Sequence, residues 1–340
     1  MHPEIAELMS TQRGLVLRRQ VLKAGVTQEC IGRLVRMGEW VVVRRGVYTT
    51  SPRWSSLDEH RGQPLLRAWA ASLNMSQSHV LSHESAALAH GMQIVHPRPM
   101  LVHVTRFGVR GCRTRHGVCH HLAPFESEQI EFIEGVATFD KARTAVDIAR
   151  SHGQKGLRYG LVACDSAMRA GVTREVLEQT VLPMRNWPNV KVARESVALA
   201  DPGSEGAGES LTRMLVLQLG MGEVETQFGI RDGTREAWCD LRVGRHLIEF
   251  DGRIKYQRQG EGGVARGDAA EVLWKEKQRQ DWLCGFGLGM SRVTWDELMP
   301  SRWKLTQARV AREMTASQRR YGADIGDLEA YVIRDPRLRR

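Results

Sequence analysis

The sequence predicts a multidomain α/β protein, and three observations support this prediction. At 340 residues with 42% hydrophobic content, the chain is long enough for two or three apolar cores. Two segments rich in Ser, Pro, Gly and charge interrupt the apolar pattern at residues 51–63 and 200–209. The pattern changes on either side of each segment. We therefore expect domains at 1–56, 64–200 and 205–300, and a basic helical tail at 301–340.

The overall charge favours a polyanionic partner. Lys and Arg total 49 against 39 Asp and Glu, which gives a formal net charge of +10. Residues 1–56 hold nine basic and four acidic residues, so half of the excess lies there. No stretch approaches the roughly 20 apolar residues of a membrane span, and six scattered cysteines lack a C-x-x-C pair. These features predict a cytoplasmic protein with reduced thiols and no membrane partner.

The first 50 residues show two helical patterns followed by a short β-ribbon, the outline of a winged helix-turn-helix. Gly25 breaks the first helix and Thr27 can cap the second. The residues expected to face inward are Leu15, Val16, Val21 and Leu22 of the first helix and Ile31, Leu34 and Val35 of the second. The outward face of the second helix then carries Gln28, Glu29, Gly32, Arg33 and Arg36.

The β-ribbon carries a basic tip. In WVVVRRGVYTT, β-branched residues lie on both sides of Arg44, Arg45 and Gly46, as in two strands joined by a turn. Such a wing can contact a phosphate backbone while the second helix enters the major groove. We therefore predict that Gln28, Arg33, Arg36, Arg44 and Arg45 bind double-stranded DNA. A basic hairpin at a protein interface is the alternative.

The middle region reads as one mixed α/β domain without obvious catalytic chemistry. Helices are predicted at 64–73, 82–90, 142–152, 159–170 and 173–182, and strands at 100–105 and 117–121.

The third domain carries the most suggestive group of residues. A helix is expected to begin at Glu209 and end at Gly220. Strands are predicted at 227–230, 237–241 and 247–250, the first two forming a hairpin around Asp232 and Gly233. Alternation in the third strand places Glu249 and Asp251 on one face.

These acids suit a hard divalent cation. Asp240 is expected beside Glu249 and Asp251, and Mg²⁺ or Mn²⁺ prefers such carboxylate oxygens. One or two such ions can activate water and stabilise the leaving oxygen of a phosphodiester. Lys255, four residues beyond Asp251, is placed to orient the water or neutralise the transition state. A row of solvated acids at a strand edge is the alternative.

The run from Glu209 through LIEFDG to WKEKQRQDWL and RVTW resembles the nuclease domain of very-short-patch mismatch repair endonucleases, in the restriction-endonuclease-like superfamily. The resemblance covers about 90 residues. It implies a mixed sheet flanked by helices, with Asp240 and Glu249 as metal ligands and Glu209 as an auxiliary carboxylate. It also places Lys277 on the family's late helix, as a candidate catalytic residue.

The upstream sequence resembles AbiEi-type antitoxins, which are transcriptional regulators. LVLRRQVLKAGV and VRRGVYTT resemble their winged helix, and LSHESAALAHGM with ARTAVDIARSHG resemble the domain that follows it. This resemblance implies a role in toxin-antitoxin regulation or phage defence. A cognate toxin or other protein partner and a homodimer are further expectations.

Two departures from the nuclease pattern leave the activity open. The superfamily's usual lysine, two residues after the second acid, is replaced by Asp251, and the repair branch's His is replaced by Lys255. The sequence therefore supports a Mg²⁺-dependent DNA endonuclease, a non-catalytic repressor with a degenerate nuclease fold, or a protein-binding module.

Cysteines and histidines give weaker signals. Cys112, His116, Cys119 and His120 could bind zinc if they converged, but their spacing matches no standard finger, and alternation sends Cys119 and His120 to opposite faces. The prediction is that they are ordinary core and surface residues. The other histidines lie on different elements and are expected to be structural: His79, His83, His90, His96 and His103.

Overall fold

The fold is mixed α/β with three sheets, as predicted. The computed structural model describes residues 2–233, 235–252 and 269–333, without the side chains of residues 269–273. Two compact units are present, one formed by Met1–Ala163 and Val172–Val197 and the other by Cys164–Gly171 and Ala198–Arg340. No described helix has both the length and the apolar character that crossing a bilayer requires.

The first 56 residues contain four helices and a three-stranded sheet. The helices are α1 (Pro3–Thr11), α2 (Arg18–Lys23), α3 (Gln28–Arg36) and α4 (Ser51–Ser55), and the strands are β1 (Val16–Leu17), β2 (Trp40–Arg44) and β3 (Val47–Thr50). The strands are ordered β1-β3-β2. Ile5, Val21, Ile31 and Trp40 pack together beneath this sheet.

Two local predictions here were wrong. Leu15 and Val16 do not belong to a helix with Val21 and Leu22, because Gly14 has a φ of +86° and Val16 pairs with Tyr48 of β3. The linker predicted from residue 51 instead begins with α4, where the Thr50 hydroxyl accepts a hydrogen bond from the Arg53 amide.

The rest of the first unit surrounds a six-stranded mixed sheet. Its helices are α5 (Gly62–Asn74), α6 (His83–Ala89), α7 (Lys141–Ser151), α8 (Gly156–Arg169), α9 (Arg174–Val181) and α10 (Val190–Leu199), of which α8 and α10 continue into the second unit at Cys164 and Ala198. Its strands are β4 (Val80–Leu81), β5 (Val102–Thr105), β6 (Arg113–Arg115), β7 (Val118–His121), β8 (Ile130–Ile133) and β9 (Val136–Phe139). Their order in the sheet is β6-β7-β5-β4-β9-β8. Both predicted strands and all five predicted helices are present within a few residues of their expected bounds.

One apolar core joins the two sequence segments of this unit. Leu15 and Val47 from the first 56 residues pack in the same buried cluster as Leu66, Trp69 and Leu81. The predicted boundary between residues 56 and 64 therefore does not coincide with a break in the core.

The second unit has one five-stranded sheet and three helices. The strands are β10 (Glu225–Asp232), β11 (Arg235–Val243), β12 (His246–Asp251), β13 (Gly289–Thr294) and β14 (Val332–Ile333), and the helices are α11 (Ala207–Leu217), α12 (Ala269–Cys284) and α13 (Trp303–Tyr321). The order is β13-β12-β11-β10-β14, with β12 and β13 parallel and the other neighbours antiparallel. The predicted helix and three strands are confirmed.

Helix α11 packs against the end of β12 that carries Glu249 and Asp251. A Cβ atom at Gly208 would clash with the Phe250 ring, so glycine permits the close approach of helix and strand. The predicted helical tail is α13, which buries Val310 and Met314.

Candidate functional site

The predicted acids lie at one end of the second unit's sheet. Asp240 is on β11, while Glu249 and Asp251 are on β12, which pairs with β11 in antiparallel register. All three residues are half-buried. Asp240 Oδ2 accepts a hydrogen bond from the Phe250 amide at 2.7 Å, so its carboxylate reaches across to the neighbouring strand.

Glu249 is engaged by two arginines. Its Oε1 lies 2.6 Å from Nη2 of Arg279 on α12, and its Oε2 lies 3.7 Å from Nε of Arg292 on β13. Arg292 is its register partner in the parallel pair of strands. The Glu249 side chain is only 12% exposed, and its pairing with two arginines compensates much of the desolvation of its carboxylate.

The arginines also share a second acid. Glu276 Oε1 lies 3.1 Å from Arg279 Nη1 and 2.6 Å from Arg292 Nη2. Burial works to lower the pKa of Arg279, but the hydrogen bond and charge of Glu249 outweigh it and raise that pKa. We call Glu249, Glu276, Arg279 and Arg292 the charge quartet; its two anions and two cations leave no net charge.

The remaining predicted catalytic residues are distributed differently. Glu209 is in the first turn of α11, where its Oε2 accepts a hydrogen bond from the Glu205 amide at 2.7 Å. Lys277 is exposed on α12, next to Glu276 of the quartet. Lys255 lies outside the described residues.

As placed, the described acids only partly fit a Mg²⁺ site. Oxygen donors of the correct type are present on two adjacent strands. However, no three of the described carboxylates here have ligand atoms all within 4.8 Å of one another. Glu249 would also have to exchange Arg279 for the metal. We therefore derive no hydrolytic step through a bound ion.

The predicted DNA-binding residues lie on α3 and on the β2–β3 hairpin. Thr27 caps α3 by accepting a hydrogen bond from the Cys30 amide, as expected. Gln28, Arg33 and Arg36 are exposed. Gln28 Oε1 also accepts a hydrogen bond from Arg18 Nε at 2.8 Å, which fixes this amide at the start of the helix.

The two arginines of the hairpin differ. Arg45 is exposed in the turn beside Gly46, whose φ of +77° suits a tight reversal. Arg44 is half-buried, and burial lowers the pKa of its guanidinium. Of the predicted basic tip, Arg45 is therefore the residue whose charge is displayed to solvent.

The fold also assembles ligand-type residues that sequence reasoning did not combine. Among the described residues, two sets of three have ligand atoms all within 4.8 Å: His83 with His103 and His121, and Cys112 with Cys119 and His121. His116 and His120, considered from sequence spacing, belong to neither. The histidines are separated in sequence because they come from β5, β7 and the start of α6. Only the strand pairing brings them together.

Comparison with known proteins gives little guidance. No family model matches the chain, and no curated protein matches it. Among solved structures, the RV2827C protein from Mycobacterium tuberculosis is similar at 14% identity over 62% of this chain and 78% of that chain, with a TM-score of 0.36. A superposition this loose assigns neither a fold nor a function.

Proposed function

We propose that the protein is a sequence-reading DNA-binding regulator of the AbiEi-like type, with a winged helix-turn-helix over residues 1–56. The observation that carries the proposal is the exposure of Gln28, Arg33 and Arg36 on α3 together with that of Arg45 in the hairpin turn. Helix–strand–helix–helix–strand–strand order with a β1-β3-β2 sheet supports the winged-helix assignment. In this arrangement α3 enters the major groove and Arg45 contacts a phosphate.

The charge quartet favours a non-catalytic second unit. A carboxylate held at 2.6 Å by an arginine is neutralised without a metal, and Mg²⁺ must displace that arginine to bind Glu249. We propose that this unit is a nuclease-like domain retained for binding, with DNA or a protein such as a cognate toxin as its partner.

Metal-dependent DNA cleavage is the second candidate function. It is supported by Asp240 and Glu249 on adjacent strands, by a mixed sheet with helices and by the presence of Lys277 on α12. In that case Mg²⁺ or Mn²⁺ would supply an activated water and charge stabilisation.

A mobility-shift titration with double-stranded DNA tests the proposed function. Arg45→Ala should weaken binding to all sequences about equally and lower the slope of log K against log salt by about one. Arg33→Ala should change the preference among sequences. Arg194→Ala removes an exposed arginine on α10 and is the matched control. If Arg33→Ala and Arg45→Ala bind like this control, or wild type does not bind at low salt, the DNA-binding proposal is wrong.

Incubation of the same DNA with Mg²⁺ or Mn²⁺ tests the second candidate. Wild type that leaves supercoiled and linear DNA intact agrees with the binding role. Cleavage that disappears in both Asp240→Ala and Glu249→Ala would instead make the protein a nuclease.

A further inference from the structure

Three histidines converge in the first unit. His103 lies on β5, His121 on the parallel neighbour β7, and His83 at the start of α6, which follows β4 on the other side of β5. His103 Nδ1 is 3.0 Å from His121 Nε2. The His83 and His121 rings are 4.0 Å apart between centroids, and the His103 ring is 5.2–5.3 Å from each.

We propose that His83, His103 and His121 form a binding site for a transition-metal ion of the Zn²⁺ type. Imidazole nitrogens are preferred ligands of Zn²⁺, with bonds of about 2.0–2.1 Å. In a tetrahedral site such bonds place two nitrogens about 3.3 Å apart. The His103–His121 pair is already close to that separation, and every pair in the set lies within 4.8 Å.

The three histidine side chains are shielded from solvent to different degrees. His83 is 4% exposed, and the other two are half-buried. Burial is the main cause that lowers the pKa of each, and that of His121 falls to about 4.

A buried carboxylate supports the ligands from behind. Glu84 is fully buried, and its Oε2 lies 3.4 Å from His103 Nε2 without a hydrogen-bond partner. Its Oε1 is 2.6 Å from His152 Nε2. Burial works to raise the pKa of Glu84, but opposing effects, led by the hydrogen bond with His152, outweigh it and lower that pKa. Glu84 is therefore an anion beside the histidines.

This carboxylate fixes the required tautomer. If His103 binds the metal through Nδ1, its proton resides on Nε2 and is donated to Glu84. Histidine ligands are commonly oriented by such a carboxylate, which also makes the ring a stronger ligand. Ser82 Oγ lies 3.0 Å from His83 Nδ1, which leaves Nε2 of His83 for the metal.

His83 is also held in an unfavourable backbone conformation. Its φ of +50° lies in the left-handed region, which is uncommon for residues other than glycine. Such strain persists only where surrounding structure over-determines it, as at ligand sites. Metal binding should tilt His83 out of its stack with His121, since ligand nitrogens must point at one centre.

The neighbouring thiols form a weaker alternative set. Cys112 and Cys119 have Sγ atoms 3.1 Å apart near His121. Cys112 is exposed, and burial raises the pKa of Cys119 to about 12, which opposes the thiolate form that metals require. Three histidines also leave a fourth tetrahedral position for water or another exchangeable ligand, as in zinc sites that exchange ligands.

Titration of the untagged, chelator-treated full chain with Co²⁺ and Zn²⁺ tests the proposal. We expect one equivalent bound, with visible Co²⁺ absorption and no near-ultraviolet thiolate charge-transfer band. The Cys112→Ser, Cys119→Ser double variant should retain the ion. A thiolate band, or loss of binding in that variant, would assign the ion to the cysteines and overturn the proposal. Failure of wild type to bind either ion would overturn it too.

Variants of the histidine set give the quantitative arm. Glu84→Gln should weaken Zn²⁺ binding roughly 10- to 100-fold, because second-shell carboxylates have effects of that size. His103→Asn and His121→Asn should abolish stoichiometric binding, whereas His96→Asn, outside the set, should leave it unchanged. Circular dichroism identifies variants that do not fold. Equal affinity in wild type and a folded His103→Asn variant would contradict the assignment.

Discussion

Two clusters of buried polar side chains, one in each unit, are compensated in different ways. In the second unit, anions are placed directly against cations, as in the charge quartet and the buried Arg213–Asp165 pair at 2.7 Å. In the first unit, which also has the buried Arg143–Asp147 pair at 2.8 Å, three imidazoles with lowered pKa converge beside the Glu84 carboxyl group. Paired charges are already satisfied, whereas converging lone pairs have capacity for an added cation. Residue type alone therefore does not locate a metal site.

The largest expected effect is loss of a buried charge partner in the second unit. Arg213 and Asp165 side chains are 5% and 1% exposed. Arg213→Met leaves Asp165 buried without its cation, so the free energy of unfolding should fall by about 3–5 kcal/mol. Urea denaturation measures this change, with the exposed Arg312→Met as control. A decrease no larger than in the control would show that the Arg213–Asp165 pair does not stabilise the second unit.

A pH experiment on His246 gives the next effect. This second-unit imidazole lies 2.7 Å from both Ser291 Oγ and Ser317 Oγ, and burial lowers its pKa to about 4. In the unfolded chain His246 binds a proton as the pH falls through about 6.5, whereas in the folded chain it does not. The free energy of unfolding therefore contains the full contribution of the neutral imidazole above about pH 6.5. This contribution is lost as pH falls toward about 4, by roughly 3 kcal/mol.

Comparison with His246→Gln isolates that contribution. The difference in unfolding free energy between wild type and variant should narrow from pH 7 to pH 4, because glutamine does not titrate. A difference independent of pH would show that His246 is protonated equally in both states. The imidazole would then not represent a buried neutral group of the second unit.

The smallest effect is expected in the charge quartet. Arg279 is 27% exposed, and Arg292 remains near Glu249, so Arg279→Met should destabilise the protein by only about 1–2 kcal/mol. The same substitution frees one oxygen of Glu249. Mg²⁺ should therefore raise the Tm of Arg279→Met more than that of wild type. Equal Mg²⁺ effects on the two proteins would show that the arginine does not block a metal.

Much of the local structure was predictable because it depends on neighbours in sequence. Thr27 caps α3 through the Cys30 amide, and the strand with Asp240 follows alternating buried residues, whereas the strand with Glu249 follows a short apolar run. The conformation of Val16, which was assigned to the first helix, depends on its pairing with Tyr48, about 30 positions away. Local apolar periodicity does not report such a pairing.

The candidate sites show the same limit. Spacing drew attention to His116 and His120 because they are near Cys112 and Cys119, but the converging histidines come from residues 83, 103 and 121. The signal that could have found them is the parallel register of β5 with β7, which pairs His103 with Cys119. His121 is two residues beyond Cys119, so strand alternation places it on the same face. Likewise, nothing local indicated that Arg279 would hold Glu249 from 30 residues away.

The shared core of the first unit has a consequence for inheritance. Leu15 and Val47 are buried against Leu66 and Trp69, so a recombination crossover between them would separate apolar surfaces selected to fit each other. Each fragment would then expose an apolar surface in the recombinant protein. A viable exchange has to transfer residues 1–56 together with the elements that share their apolar core. The two sequence segments of the first unit should therefore be inherited together, although the sequence predicts two separate domains.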